Sequence, residues 1–124
     1  MQSVTFEAGG RELALRMDMN ALVRYQERSA KYGLGGDGKG ETISAAIEAI
    51  MRDGWDAVRG RLLFWAGLSE RMTEDDAGDL MTELGMGRAM EVTGEALRYA
   101  IRSLNGQSED QVSGNAPKPR KKAT

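Results

Sequence analysis

The densest group of side chains that could do chemistry is acidic. Glu74, Asp75, Asp76, Asp79 and Glu83 lie close together, and Asp75, Asp79 and Glu83 recur at intervals of four. That interval lines them along one helix face, where oxygen ligands could hold a hard cation. The spacing is not that of an EF-hand loop. The same stretch also reads as a helix start. Thr73 would cap it, Asp76 would take the position usually held by Glu or Gln, and the carboxylates would sit near the positive end of the helix dipole. We prefer this second reading, so no metal is expected.

The run Gly35-Gly36-Asp37-Gly38-Lys39-Gly40 invites comparison with a phosphate-binding loop. It has no Gly-Lys-Ser/Thr at the required spacing, and a helix rather than an apolar strand precedes it. We read it as a mobile connector. Trp55, Phe64 and Trp65 could stack bases, but they sit on an apolar helix with only Arg59 and Arg61 nearby, which favours core packing. Histidine and cysteine are both absent. Imidazole bases, Ser-His-Asp and Cys-His nucleophiles, thiolate zinc sites and disulfides are thereby excluded. Neither an enzyme nor a cofactor is expected.

Methionine is the remaining unusual residue, with eight among 124 positions. Met81, Met86 and Met90 gather where the last two helices should meet. Methionine fills gaps in cores and also adapts to varied apolar partners. We take these three as the candidate partner-binding residues.

The elements that would position these groups follow from periodicity. Val4, Phe6 and Ala8 alternate with polar neighbours, as do Leu13, Leu15 and Met17 around Gly9-Gly10, which predicts a β-hairpin. Such a hairpin is marginal alone and needs helices beneath it. Asp18 or Asn20 would cap a first helix over about residues 19–32, with Met19, Leu22, Val23 and Ala30 as its apolar stripe. Thr42 would cap a second, burying Ile43, Ala46, Ile47, Ile50 and Met51 and ending at Asp53-Gly54. A third, from about Trp55 to Leu68, is the most apolar stretch and belongs at the centre of the core, with Trp55, Val58, Leu62, Trp65 and Leu68 on one side. Ala77, Leu80, Met81 and Leu84 mark a fourth helix ending at Gly85. Ala89, Met90, Thr93, Leu97, Ala100, Ile101 and Leu104 mark a fifth over about 88–104. The fold class is therefore mainly α with a small N-terminal β-hairpin (α+β), a compact bundle of about five helices. Residues 1–106 form the domain, and 107–124, polar and holding both prolines, form a disordered tail.

The net charge is −2, but the tail sets Lys118, Arg120, Lys121 and Lys122 against only Glu109 and Asp110. The body is therefore acidic, which disfavours nucleic acid. The basic tail reads as solvated. No apolar run approaches the about 18 residues of a membrane span, and MQSVTFEAGG lacks the basic and apolar regions of a secretory signal. A cytoplasmic location, with no membrane contact, is expected.

A resemblance rests on several of these stretches together. Leu15-Arg16-Met17-Asp18-Met19-Asn20-Ala21-Leu22 closes the hairpin. Leu62-Leu63-Phe64-Trp65-Ala66-Gly67-Leu68 and Thr73-Glu74-Asp75-Asp76-Ala77-Gly78-Asp79-Leu80 follow, then Glu83-Leu84-Gly85 and Gly94-Glu95-Ala96-Leu97. Over residues 4–104 the chain resembles the gene transfer agent family of small phage tail proteins, grouped with the tail assembly chaperones of long-tailed phages. The resemblance implies a protein of the bacterial host cytoplasm that binds the long helical tape measure protein, keeps its apolar stretches soluble, and is absent from the finished particle. Other tail proteins and self-association are further expected contacts. Two alternatives come from other classes. One is a structural component retained in the tail. The other is a small nucleic-acid-binding regulator, disfavoured by the acidic body and the lack of an Arg/Lys-rich recognition helix.

Overall fold

Alternation at the N-terminus produces the hairpin. In a computed structural model that describes residues 2–105, β1 (Val4–Ala8) pairs antiparallel with β2 (Arg11–Leu15). The register is Val4 with Leu15, Phe6 with Leu13 and Ala8 with Arg11. Val4, Phe6, Ala8, Leu13 and Leu15 turn inward and are buried. Five helices follow: α1 (Met19–Ser29), α2 (Ile43–Asp53), α3 (Ala57–Gly67), α4 (Glu74–Leu84) and α5 (Met86–Leu104). A single 3-10 turn, Ala30–Tyr32, extends α1. The architecture is the small α+β bundle expected from the sequence.

Each of the first four helices opens on a side chain that accepts a free first-turn N–H. Asp18 accepts from Ala21, Thr42 from Ala45, Asp56 from Arg59 and Thr73 from Asp76. Gly85 alone joins α4 to α5, and no side chain among the described residues caps α5.

Helix α3 is the axis of the core. Every residue from Leu62 to Leu68 is buried, and α1, α4, α5 and β2 all pack on it. The motif glycine Gly67 has a packing role. A Cβ there would lie 3.0 Å from Met17 Cε and 3.2 Å from Leu15 Cδ2, so a larger residue would have to push these side chains back by a few tenths of an ångström. After α3 the chain adds to the free edge of β2. Leu68 bridges Leu15, Arg16 N donates to the Gly67 carbonyl at 2.8 Å, and Ser69 N donates to the Ala14 carbonyl at 2.9 Å.

Several expected stripes shift. On α1 the buried residues are Ala21, Tyr25 and Ser29, while Met19 and Val23 are exposed. Tyr25 turns inward because its hydroxyl finds a buried carboxylate, which a search for aliphatic residues overlooks. On α2, Ala49 is buried and Met51 is 82% exposed. On α3, Trp55 precedes the helix and is half-buried, and Val58 is exposed. Helix α5 begins at Met86, two residues early, and buries Val92 and Ala96, leaving Ile101 and Leu104 exposed.

The glycine-rich connector is tied down at both ends, which its composition does not suggest. Leu34 N donates to the Ser29 carbonyl at 3.2 Å, and Glu41 N donates to Ser29 Oγ at 2.7 Å. Gly40, at φ +91°, passes so close to α1 that a Cβ would overlap the Gln26 carbonyl oxygen. The proposed tail, 107–124, lies outside the described residues.

Two stability outcomes are expected from this packing. Trp65→Ala removes a large buried ring and a donor to the Met72 carbonyl, and should cost about 3–5 kcal/mol in chemical denaturation. Gly40→Ala should destabilise well beyond Gly38→Ala, because Gly38 shares a positive φ but faces open space. Equal melting temperatures for the two would contradict the close approach.

Candidate functional site

Among the described residues Glu41 is the charge most withdrawn from water, with 4% of its surface exposed. It sits just before the Thr42 cap of α2. Arg59, in the first turn of α3, meets it with two parallel bonds, Nε to Oε1 at 2.8 Å and Nη2 to Oε2 at 2.7 Å. Tyr25, from α1, donates its hydroxyl to Oε1 at 2.5 Å. Arg59 also donates from Nη1 to Asp56 Oδ2 at 2.9 Å. Three helices are thus joined through one carboxylate.

The electrostatics follow from that geometry. Hydrogen bonds from Arg59 are the main reason that the Glu41 carboxyl lies below its ordinary range; they outweigh burial, and the Tyr25 hydroxyl assists. Burial raises Asp56, but the backbone and side-chain bonds from Arg59 outweigh it and leave Asp56 lowered. Bonding to Glu41 raises Arg59. Burial, and then the bond to Glu41, push the Tyr25 hydroxyl far up. Each group is held in its resting protonation state. The cluster fastens the fold.

A second network surrounds the indole of Trp65. The guanidinium carbons of Arg28 and Arg71 stand 5.3 and 4.8 Å from its ring centroid. Arg28 pairs with Glu74 at 3.1 Å. Glu74 also accepts from the Tyr32 hydroxyl and lies 3.7 Å from Arg61. Burial, and then the neighbouring charge of Arg24, lower the pKa of Arg71.

The sequence candidates separate in space. The acidic stretch splits by role. Glu74 is tied to α1, while Asp75 has its side chain 91% exposed. Among the described residues, no three acidic or soft ligands come together as a metal site. Phe64 and Trp65 are core residues, closed to base stacking. Met81 is core as well, Met90 is half-buried, and Met86 is 49% exposed. Of the three methionines, Met86 is the one open to a partner without rearrangement. Lys118–Lys122 lie outside the described residues. No helix among the described residues is long and apolar enough to cross a membrane.

Sequence reasoning missed the Glu41 cluster. The Asp56-Ala57-Val58-Arg59 spacing hints at the cap pair, but nothing local to Glu41 announces that an arginine eighteen positions later will reach it. No family model, curated protein or solved structure matches this chain.

Removing Arg59 would strand a buried carboxylate, so Arg59→Ala should cost about 3–5 kcal/mol. The pH dependence has a definite sign. Glu41 and Asp56 are lowered on folding. Their contribution is complete above the ordinary carboxylate value of about 4 and is lost as pH falls through the lower folded value. Acid titration of the melting temperature should show a shallower fall for Glu41→Gln than for wild type. Parallel curves would mean that Glu41 is not held ionised.

Proposed function

We propose that the protein is a tail assembly chaperone of the phage or gene transfer agent type, a cytoplasmic binding protein rather than an enzyme. Its client is the tape measure protein, held through apolar helix faces. The reading rests on the resemblance of an ordered set of sequence stretches to that family. Within the fold, Asp18 caps α1, Gly67 packs against the hairpin's exit, and Gly85 follows Glu83-Leu84, the last residues of α4, into α5. Binding of an amphipathic helix needs exposed apolar anchors on a firm scaffold. Met19, Met51 and Met86 are exposed on three separate helices, and thioether side chains re-pack against varied apolar partners.

Met86→Glu tests the surface. Met86 is half exposed, so the change should shift stability by no more than about 0.5 kcal/mol. Co-expressed with the tape measure protein, the variant should leave less client soluble than wild type does, because a carboxylate pressed against an apolar helix loses its hydration. Equal protection would remove Met86 from the contact. If wild type itself leaves client solubility unchanged, the chaperone reading fails. Its presence in purified particles would identify a structural tail component instead.

A further inference from the structure

Among the described residues, the hairpin leaves one row of backbone groups without partners. Arg16 N and the Ala14 carbonyl point toward residues 67–69, where both are bonded. Backbone direction alternates along a strand, so Leu13 and Leu15 point the other way, into β1. Their partners Phe6 and Val4 must face them in return. Thr5 and Glu7 therefore direct N–H and C=O away from β2. Among the described residues nothing bonds to that outer row, and both residues are exposed. One side of the hairpin is closed by residues 67–69, and the other is an open strand edge.

Charge selects the occupant. Glu7 stands directly opposite Glu12, a like-charge pair that weakens a ladder. Glu83 Oε1 comes to the turn between them, 3.4 Å from where a Cβ on Gly9 would lie. None of these three carboxylates has an ion-pair partner among the described residues. Two copies meeting edge to edge would bring two acidic rims together, and charge on an edge strand resists such pairing. An extended segment carrying Lys or Arg would relieve the repulsion while filling the open backbone positions.

We infer that the outer edge of β1 is a docking strand for an extended, basic segment of a partner protein, bonded to the backbone of Thr5 and Glu7 and steered by Glu7, Glu12 and Glu83. Main-chain bonds give such a contact its affinity, and alternate side chains give its selectivity. The inference does not depend on the tape measure reading.

The probe is a capped nine-residue peptide of alternating lysine and valine, added to the full, isotope-labelled chain. Amide exchange should slow at Thr5 and Glu7, while Val4, Phe6 and Ala8 are protected from the outset. Methylating alternate peptide nitrogens on the pairing edge should abolish binding, and replacing its lysines by glutamate should do the same. Thr5→Pro removes only an outward N–H, a place where edge strands tolerate proline. It should keep the fold and weaken the peptide by about tenfold, the size of one lost backbone bond. If Thr5→Pro unfolds, Glu7→Lys replaces it and should weaken binding of the lysine peptide, while Glu12 and Glu83 still repel the glutamate peptide. Unchanged exchange at Thr5 and Glu7, or equal binding of the methylated peptide, overturns the inference. So does protection without peptide: a rise with protein concentration would assign the edge to a second copy, and loss on removal of 107–124 would assign it to the chain's own tail.

Discussion

A helix whose C-terminal half is buried on every side must have its last carbonyls satisfied by protein, since water cannot reach them. Helix α3 meets this demand with donors from three parts of the chain. Arg71 donates to the carbonyls of Trp65 and Leu68, at 2.9 and 3.0 Å. Arg24, from α1, donates to Ala66 at 2.8 and 3.1 Å. The backbone of Arg16 donates to Gly67. The positive side chains also complement the negative end of the helix dipole. The position of the hairpin, the angle of α1 and the course of the α3–α4 connection all follow from this one requirement. It also explains why two guanidiniums are placed close enough for Arg24 to lower the pKa of Arg71.

The opposite end of α3 is fixed by charge. Arg59 projects from the first turn to Glu41, and Glu41 is carried there by the glycine-rich connector. Ser29 accepts from the Glu41 backbone and donates to the Gln26 carbonyl, so the connector's return runs flush with α1. Glycine at position 40 allows that approach. Among the described residues helix α2 packs chiefly against α1, and the Glu41–Arg59 pair at its start supplies a second attachment. A buried pair of this kind contributes little net stability compared with apolar packing, but breaking it is costly. Its effect is to fix where α2 begins.

The parts of this fold legible in sequence are those where one rule acts alone. Alternation placed both strands. Thr42 and Thr73 announced their caps, and the apolar density of Leu62–Leu68 announced the core helix. Legibility ended where two segments distant in sequence settle a residue's fate together. Tyr25 had no place in the aliphatic stripe expected for α1, and it is buried because Glu41 supplies a partner for its hydroxyl. Met19 and Met51 matched helical stripes, yet α1 and α2 face their neighbours through Tyr25 and Ala49 instead. The third strand-like segment at Leu68 carries no pattern of its own and exists because β2 had an open edge. Among the candidate methionines, spacing could not distinguish Met81, enclosed between α4 and its neighbours, from Met86, one residue beyond Gly85 and facing water.

That distinction bears on how a small, firmly fastened domain could accept a varied client. The caps, the buried ion pair and the satisfied end of α3 leave the scaffold little freedom to reshape its backbone around different partners. Adaptation must then come from side chains. Met17 and Met81 are spent inside the core, whereas Met19, Met51 and Met86 keep their rotamers free at the surface. An unbranched thioether can follow the contour of successive apolar helices without strain. A chaperone of this design would hold its fold constant and let exposed methionines do the fitting. The hairpin edge would differ in kind: its backbone bonds are directional and its charge is fixed, so it would select an extended basic segment where the methionines tolerate many helical ones.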